Sequence, residues 1–100
     1  MPRLTESEIQ SGLRGLPGWA VTDGLLTKTY TVRSFAHAVL FVGAIGQLAE
    51  AANHHPDLRL HGYKLVTIAL ETHSEGGLTH RDFDLAAAIE ALPHKPLPKE

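Results

Sequence analysis

The pattern of hydrophobic and polar positions predicts a short helix near the start of the chain. Thr5 and Glu8 have the spacing of a capping box, in which each side chain bonds the backbone of the other residue. A helix is therefore expected from about Glu6 to Leu13 or Arg14. The glycine-rich sequence from residue 12 onward is expected to stop it.

A β-hairpin is predicted next. Residues 19–22 and 25–32 are rich in aromatic and β-branched side chains, which favour strands. Asp23-Gly24 lies between them and is a strong signal for a tight turn, because glycine adopts positive φ at little steric cost.

A long helix should follow, capped at its start by Ser34. Its apolar residues form two neighbouring stripes at helical spacing, which predicts a wide apolar face packed across a sheet. One stripe contains Phe35, Val39, Val42, Gly46 and Ala49, and the other contains Ala38, Phe41, Ile45, Leu48 and Ala52. The helix should end near Asn53, because Pro56 disfavours helical geometry at His55.

The second half of the chain repeats the order of two strands and a helix. The predicted elements are a strand from Asp57 to Leu60, a turn at His61-Gly62, an alternating strand from Tyr63 to Thr72, a loop from Ser74 to Gly77 and a helix from Asp82 to Ala91. Thr79 and Asp82 form a second capping arrangement, and three prolines predict an extended tail over residues 93–100.

The element order predicts an α+β fold, α-β-β-α-β-β-α, in a single domain over residues 1–100. Hairpins give antiparallel pairs, so we expect a four-stranded antiparallel sheet with the helices packed on one face. The other face and the strand edges would then be open to water or to a partner, which favours a subunit contact.

Composition narrows the possible functions. The chain is 43% hydrophobic and 20% charged with a net charge of -2, and it has no cluster of basic residues, so we expect no nucleic-acid partner. It has no cysteine, which excludes a disulfide scaffold, a thiolate metal site and a cysteine nucleophile. We expect a cytoplasmic protein without a signal peptide or a membrane span.

The residues best suited to chemistry are histidines and carboxylates. Glu50, His54 and His55 lie in the run Glu-Ala-Ala-Asn-His-His-Pro, and His73 and Asp82 follow. Imidazole is the side chain whose unperturbed pKa lies near neutrality, so it can donate and accept protons there. With no cysteine and no serine in a nucleophile-elbow context, the expected chemistry is proton transfer.

Each of these residues also has a structural interpretation. His54 and His55 can be surface loop residues, one of them capping the preceding helix. Glu50 lies one helical turn before His54 and can fix the tautomer of that ring, or form only a weak helix ion pair. His73 can be a solvated strand end, and Asp82 can be a helix cap.

A metal site formed by His54, His55 and His73 is a further alternative. Adjacent histidines rarely chelate one ion through a tight turn, and the chain has no His-x-His or His-x-x-x-His spacing. We therefore expect neither a metal nor another cofactor.

Together these residues resemble the pterin-4a-carbinolamine dehydratase family. That family carries a Glu, three spacers and His-His-Pro at the end of its long helix, as in residues 50–56. It continues with an aromatic-containing strand, Thr-His, a loop with Gly-Leu, and Arg-Asp at the last helix. The matching positions are Tyr63, Thr72-His73, Gly77-Leu78 and Arg81-Asp82. The resemblance spans residues 4–92, with one extra residue placed in the turn at residues 60–63.

The resemblance implies a lyase that dehydrates 4a-hydroxytetrahydrobiopterin to quinonoid dihydropterin, in tetrahydrobiopterin recycling. His55 and His73 are the implied acid and base, with their order undecided. His54 belongs to the same catalytic group and would orient the pair, while Asp82 would polarise or position a histidine. The implied substrate contacts are Glu50, Pro56, Trp19, Thr72, Ser74 and Glu75. On residue type alone, Trp19 is interpreted as a core residue.

Other functions stay open. Members of the family also act as dimerisation cofactors for a transcription factor through the protein surface, and a related role in molybdopterin metabolism would reuse the pocket. The expected partners are a small pterin substrate and further copies of the chain, as a homodimer or homotetramer.

Overall fold

The computed structural model of the protein describes residues 2–92 and has the predicted order of elements. The helices are α1 (Glu6–Leu13), α2 (Phe35–Ala52) and α3 (His80–Glu90), and the strands are β1 (Ala20–Thr22), β2 (Leu25–Thr31), β3 (Asp57–His61) and β4 (Leu65–Leu70). This is an α+β fold. The predicted tail lies outside the described residues.

Helix α1 and the first hairpin form as predicted. The Thr5 side chain accepts from the Glu8 backbone, and the Glu8 side chain accepts from the Thr5 backbone at 2.8 Å, which completes the capping box. Asp23 and Gly24 both have positive φ, at 53° and 79°. Gly12 lies within α1, one residue before its end, and a side chain at this position would collide with the Phe83 ring of α3.

The four strands form one antiparallel sheet in the order β1-β2-β4-β3. Alternation along β4 is as predicted, with Val66, Ile68 and Leu70 fully buried and the intervening residues partly exposed. Tyr30 of β2 pairs with Val66 and lies on the same buried face. One face of the sheet therefore forms the core, and the other carries polar contacts such as the Thr29–Thr67 hydrogen bond.

Helix α2 begins at the predicted cap, where the Ser34 hydroxyl accepts from the His37 backbone. Only the second predicted stripe enters the core at the start of the helix, through Ala38, Phe41 and Ile45. The helix packs on the sheet as predicted, but the first stripe is buried only at Ala49 and partly buried at Val42 and Gly46, because a cylinder packed on a sheet buries one side. Phe35, Val39 and Leu40 are exposed.

By length and composition alone, α2 could cross a membrane. The core helix of a soluble protein meets the same criterion. Since Phe41 and Ile45 are fully buried against the rest of the chain, we interpret α2 as a core helix.

The second hairpin differs from the prediction at its ends. Strand β3 extends to His61, whose ring bonds the Thr67 hydroxyl, so His61 is not a turn residue. Strand β4 ends at Leu70 rather than Thr72, because Thr72 pairs with Gly77 across a short 3-10 turn at His73–Glu75.

A polar cluster that the sequence did not predict links the hairpin to α3. Glu90 Oε1 accepts hydrogen bonds from Trp19 Nε1 at 3.0 Å, from Lys28 Nζ at 2.9 Å and from the Tyr30 hydroxyl. Burial disfavours a charged Glu90, but the three donors and the Lys28 charge outweigh it and hold the pKa of Glu90 below its usual 4.5. Burial, and then Glu90 itself, raises the pKa of Tyr30 above its usual range.

We expect Glu90→Gln to lower the free energy of unfolding at pH 7 by about 1–3 kcal/mol, because the amide keeps the shape but loses the charge-assisted hydrogen bonds. A carboxylate whose pKa is lowered on folding stabilises the protein above its unfolded pKa, and that contribution disappears as the pH falls through the folded pKa. Urea unfolding between pH 7 and pH 3 should therefore show a weaker acid dependence in Glu90→Gln than in the wild type.

The matched control is Asp84→Asn, which removes an exposed carboxylate from the same helix. This substitution should change the free energy of unfolding by no more than about 0.5 kcal/mol. Equal stability of Glu90→Gln and the wild type at pH 7 would contradict a stabilising role of the cluster.

Candidate active site

The histidine pair lies where α2 ends. Asn53 adopts the left-handed conformation, with φ 50° and ψ 46°, and its backbone N–H bonds back to the last turn. The His54 N–H also returns to the Ala49 carbonyl at 3.1 Å. This cap reverses the chain, so His54 turns inward and is 8% exposed, while the His55 side chain faces solvent at 60%.

The inward histidine is held by α3. His54 Nε2 donates to Asp82 Oδ1 at 2.6 Å, and Asp82 is completely buried. A carboxylate oxygen can only accept, so this contact favours the Nε2–H tautomer of His54, and in the neutral ring Nδ1 is then the acceptor.

Two threonines fix the other carboxylate oxygen. Asp82 Oδ2 accepts from the Thr79 backbone at 2.9 Å, which completes the predicted capping box, and from the Thr72 hydroxyl at 2.8 Å. Thr72 and Thr79 also bond each other at 2.8 Å. No buried side-chain nitrogen or oxygen among residues 2–92 lacks a partner, so this network is fully satisfied.

The outward histidine pairs with α2. His55 Nε2 lies 2.7 Å from Glu50 Oε1, and both side chains are largely exposed. The expectation that Glu50 bonds His54 is wrong. Spacing by four residues holds only while the helix continues, and the left-handed Asn53 turns His54 away and brings His55 back over Glu50.

His73 opens the 3-10 turn instead of ending a strand. Its side chain is 84% exposed, and Nδ1 lies 3.2 Å from Glu71 Oε2. The preceding residue, Thr72, bonds Asp82, so the His73 loop joins the network that holds His54. Each of the three motif histidines thus has a carboxylate partner.

The predicted site residues are only partly brought together. Hydrogen bonds join His54, Asp82 and Thr72. His55 and His73 are not part of this network but directly follow His54 and Thr72 in the sequence. Thr72 is buried in that network, which favours a positioning role over substrate contact. Pro56 is half-buried beside His55, and of the loop residues Ser74 is exposed and Glu75 half-buried.

Trp19 lies apart from these residues. It is 5% exposed, packs edge-on against Tyr30 and donates to Glu90. These contacts agree with the interpretation of Trp19 as a core residue. They leave no open face of the indole ring for a ligand.

The sequence analysis did not identify two residues, Thr79 and Arg81, that contact the residues around His54. Thr79 was considered only as a helix cap, although it also bonds Thr72, and Arg81 donates from Nη2 to the backbone carbonyls of Ala52 and Asn53. For Arg81, the available sequence signal was its position next to Asp82 in the Arg-Asp motif. Over residues 2–92, the structure has no group of three His, Cys, Asp or Glu side chains suited to a metal ion.

A cleft of about 410 Å³ opens beside His54, between the end of α2 and α3. Leu48 and Leu85 give it apolar walls, and Arg81 and Asp84 add charge. Its volume lies within the range of small-molecule sites, so a small solute can approach the buried histidine.

Comparison with known proteins gives one consistent result. The family model for pterin 4 alpha carbinolamine dehydratase matches residues 2–92. A relative from Herpetosiphon aurantiacus is provisionally named as a pterin-4-alpha-carbinolamine dehydratase. It is 45% identical over 92 residues, which cover 92% of this chain and 95% of the relative. A relative from Solibacter usitatus with the same provisional name is 46% identical over 90 residues, covering 90% and 94%.

Solved structures share the fold. A transcriptional coactivator/pterin dehydratase from Brucella melitensis superposes with a TM-score of 0.84 at 36% identity, covering 89% of this chain and 96% of that one. A pterin dehydratase-like protein described as a RuBisCO assembly factor has a TM-score of 0.58 at 24% identity, covering 73% and 83%, which shows the fold alone. With a family match over nearly its whole length and relatives of this identity, the chain belongs to the pterin-4a-carbinolamine dehydratase family.

Proposed function

We propose that this protein dehydrates a 4a-hydroxytetrahydropterin to the quinonoid dihydropterin by histidine acid-base catalysis, without a metal or other cofactor. The observation that carries the proposal is the pairing of His54, His55 and His73 each with its own carboxylate. The family membership supports the substrate class, and the absence of a cysteine removes a thiol mechanism.

The reaction needs two proton transfers and no redox step. An acid protonates the 4a-hydroxyl, the C4a–O bond breaks and water leaves. A base takes the proton from the adjacent ring nitrogen, whose electron pair forms the new C=N bond. Imidazole can serve in both roles near neutral pH.

The exposure of the side chains supports a division of roles. His55 and His73 are open to solvent and can meet a ligand, so they are our candidates for the acid and the base. Their partners Glu50 and Glu71 orient the rings. His54 is fixed by Asp82 and positions the pair, with Nδ1 available for the pterin.

We further propose that the protein assembles with copies of itself as a homodimer or homotetramer. Phe35, Val39 and Leu40 expose an apolar surface on α2, and strands β1 and β3 are sheet edges. The same apolar surface supports the alternative of a protein-binding role. The Brucella protein carries the words transcriptional coactivator in its description.

Stopped-flow measurement of dehydration by the wild type tests the proposal, using freshly generated 4a-hydroxytetrahydrobiopterin and a 4a-hydroxytetrahydropterin without the side chain. We expect acceleration of both over buffer, in proportion to protein concentration and unaffected by a chelator. Acceleration that a chelator abolishes would contradict the cofactor-free mechanism. Binding of a protein or a molybdopterin precursor without any dehydration would favour the alternatives.

A further inference from the structure

The first turn of α3 reaches the end of α2 with two adjacent side chains. Asp82 holds the His54 ring. Arg81 donates from Nη2 to the Asn53 carbonyl at 2.6 Å and to the Ala52 carbonyl at 3.2 Å. Helix α3 therefore contacts both the His54 ring and the backbone that leads into His54.

The end of α2 has a specific need for such a donor. The last carbonyls of a helix have no partner within the helix, and a positive charge there is favourable. The left-handed cap satisfies the Ala49 and Glu50 carbonyls through backbone N–H groups, and Arg81 supplies donors for the carbonyls of Ala52 and Asn53. A guanidinium is suited to this, because it is planar and always charged.

The contact also controls geometry. The Asn53 carbonyl and the His54 backbone nitrogen belong to the same peptide unit. By bonding that carbonyl, Arg81 fixes the orientation of the peptide plane that precedes His54. Asn53 has positive φ, which asparagine adopts more readily than most L-residues, and the Arg81 contact holds the peptide unit that follows it. A cap that relaxed would displace His54 from Asp82 and His55 from Glu50.

We propose that Arg81 is a positioning residue for the histidine pair, acting through the α2 cap rather than through the substrate. The kinetic part of this inference rests on the proposed dehydratase function, and the structural part does not. Arg81→Gln removes the charge, and Arg81→Lys keeps it. Arg33→Gln is the matched control, an exposed arginine before the opposite end of α2, about 30 Å away for a helix of this length.

The experiment combines kinetics with NMR of the imidazole groups in the full chain. We expect Arg81→Gln to lower kcat by about 10-fold or more while KM changes by less than about twofold, since small displacements of catalytic groups are costly. Arg81→Lys should recover part of the loss. The His54 and His55 ring signals should move in Arg81→Gln and stay in place in Arg33→Gln.

Several outcomes would overturn the inference. One is wild-type kcat with unmoved ring signals in Arg81→Gln. Another is a lower urea midpoint with unchanged kcat per folded molecule, which would show a merely structural role. If the wild type has no dehydratase activity, the proposed function fails, and the ring signals alone decide the inference. If Arg81→Gln does not fold, displaced ring signals in Arg81→Lys support the inference and unmoved ones overturn it.

Discussion

Asp82→Asn is expected to lower turnover by about 10²-fold or more while the protein stays folded. The amide keeps the size of the buried carboxylate, and its oxygen can still accept from Thr79 and Thr72. Its NH₂ group then faces His54 Nε2, which must become an acceptor. The proton moves to Nδ1, and His54 loses its free acceptor.

The tautomer of His54 is the decisive control for Asp82→Asn. Nitrogen NMR should show the Nε2–H form in the wild type and the Nδ1–H form in the variant. Asp23→Asn, an exposed change in the turn between β1 and β2, should alter neither the tautomer nor the rate. A folded Asp82→Asn protein with wild-type turnover would show that the Asp82–His54 pair is structural. Asp82→Ala should instead destabilise the protein, by roughly 3–5 kcal/mol, because it leaves buried donors without a partner.

His73→Ala is expected to lower turnover by about 10²-fold or more, with no measurable loss of stability. The side chain is 84% exposed, so its removal costs little packing energy, and any loss of rate reports on chemistry. Steady-state kinetics and urea unfolding on the same preparation separate the two effects.

His80→Ala provides the comparison for His73→Ala. His80 is also exposed, and it begins α3 without belonging to the histidine motif. It should retain the wild-type rate. Equal rates for the wild type and His73→Ala would remove His73 from the acid-base pair.

Local signals in the sequence were sufficient for most of the fold. Two capping boxes, the Asp23-Gly24 turn and the alternation of β4 each act within a few residues, so the chain order predicted the α+β architecture. The face of α2 was not predictable in the same way. Both of its stripes are apolar, and only packing decides that Ile45 is buried and Val39 is not.

For the candidate site, the sequence named candidate residues but not their contacts. The motif offered His54, His55, His73 and Asp82 as candidates, but the partners of His54 and His55 depend on the backbone conformation at Asn53. The Glu90 cluster was not predictable, because its donors lie 60 or more residues away in sequence. Contacts of that kind arise from tertiary packing and leave no local pattern.

The most direct test of the account is the dehydration rate of freshly generated 4a-hydroxytetrahydrobiopterin with the wild type beside the His55→Ala/His73→Ala double variant. Both proteins should fold, since both side chains are mainly exposed. We predict that the wild type accelerates the reaction in proportion to its concentration and that the double variant does not exceed the rate in buffer. A folded wild type at the buffer rate, or a double variant as fast as the wild type, would contradict histidine acid-base dehydration by this protein.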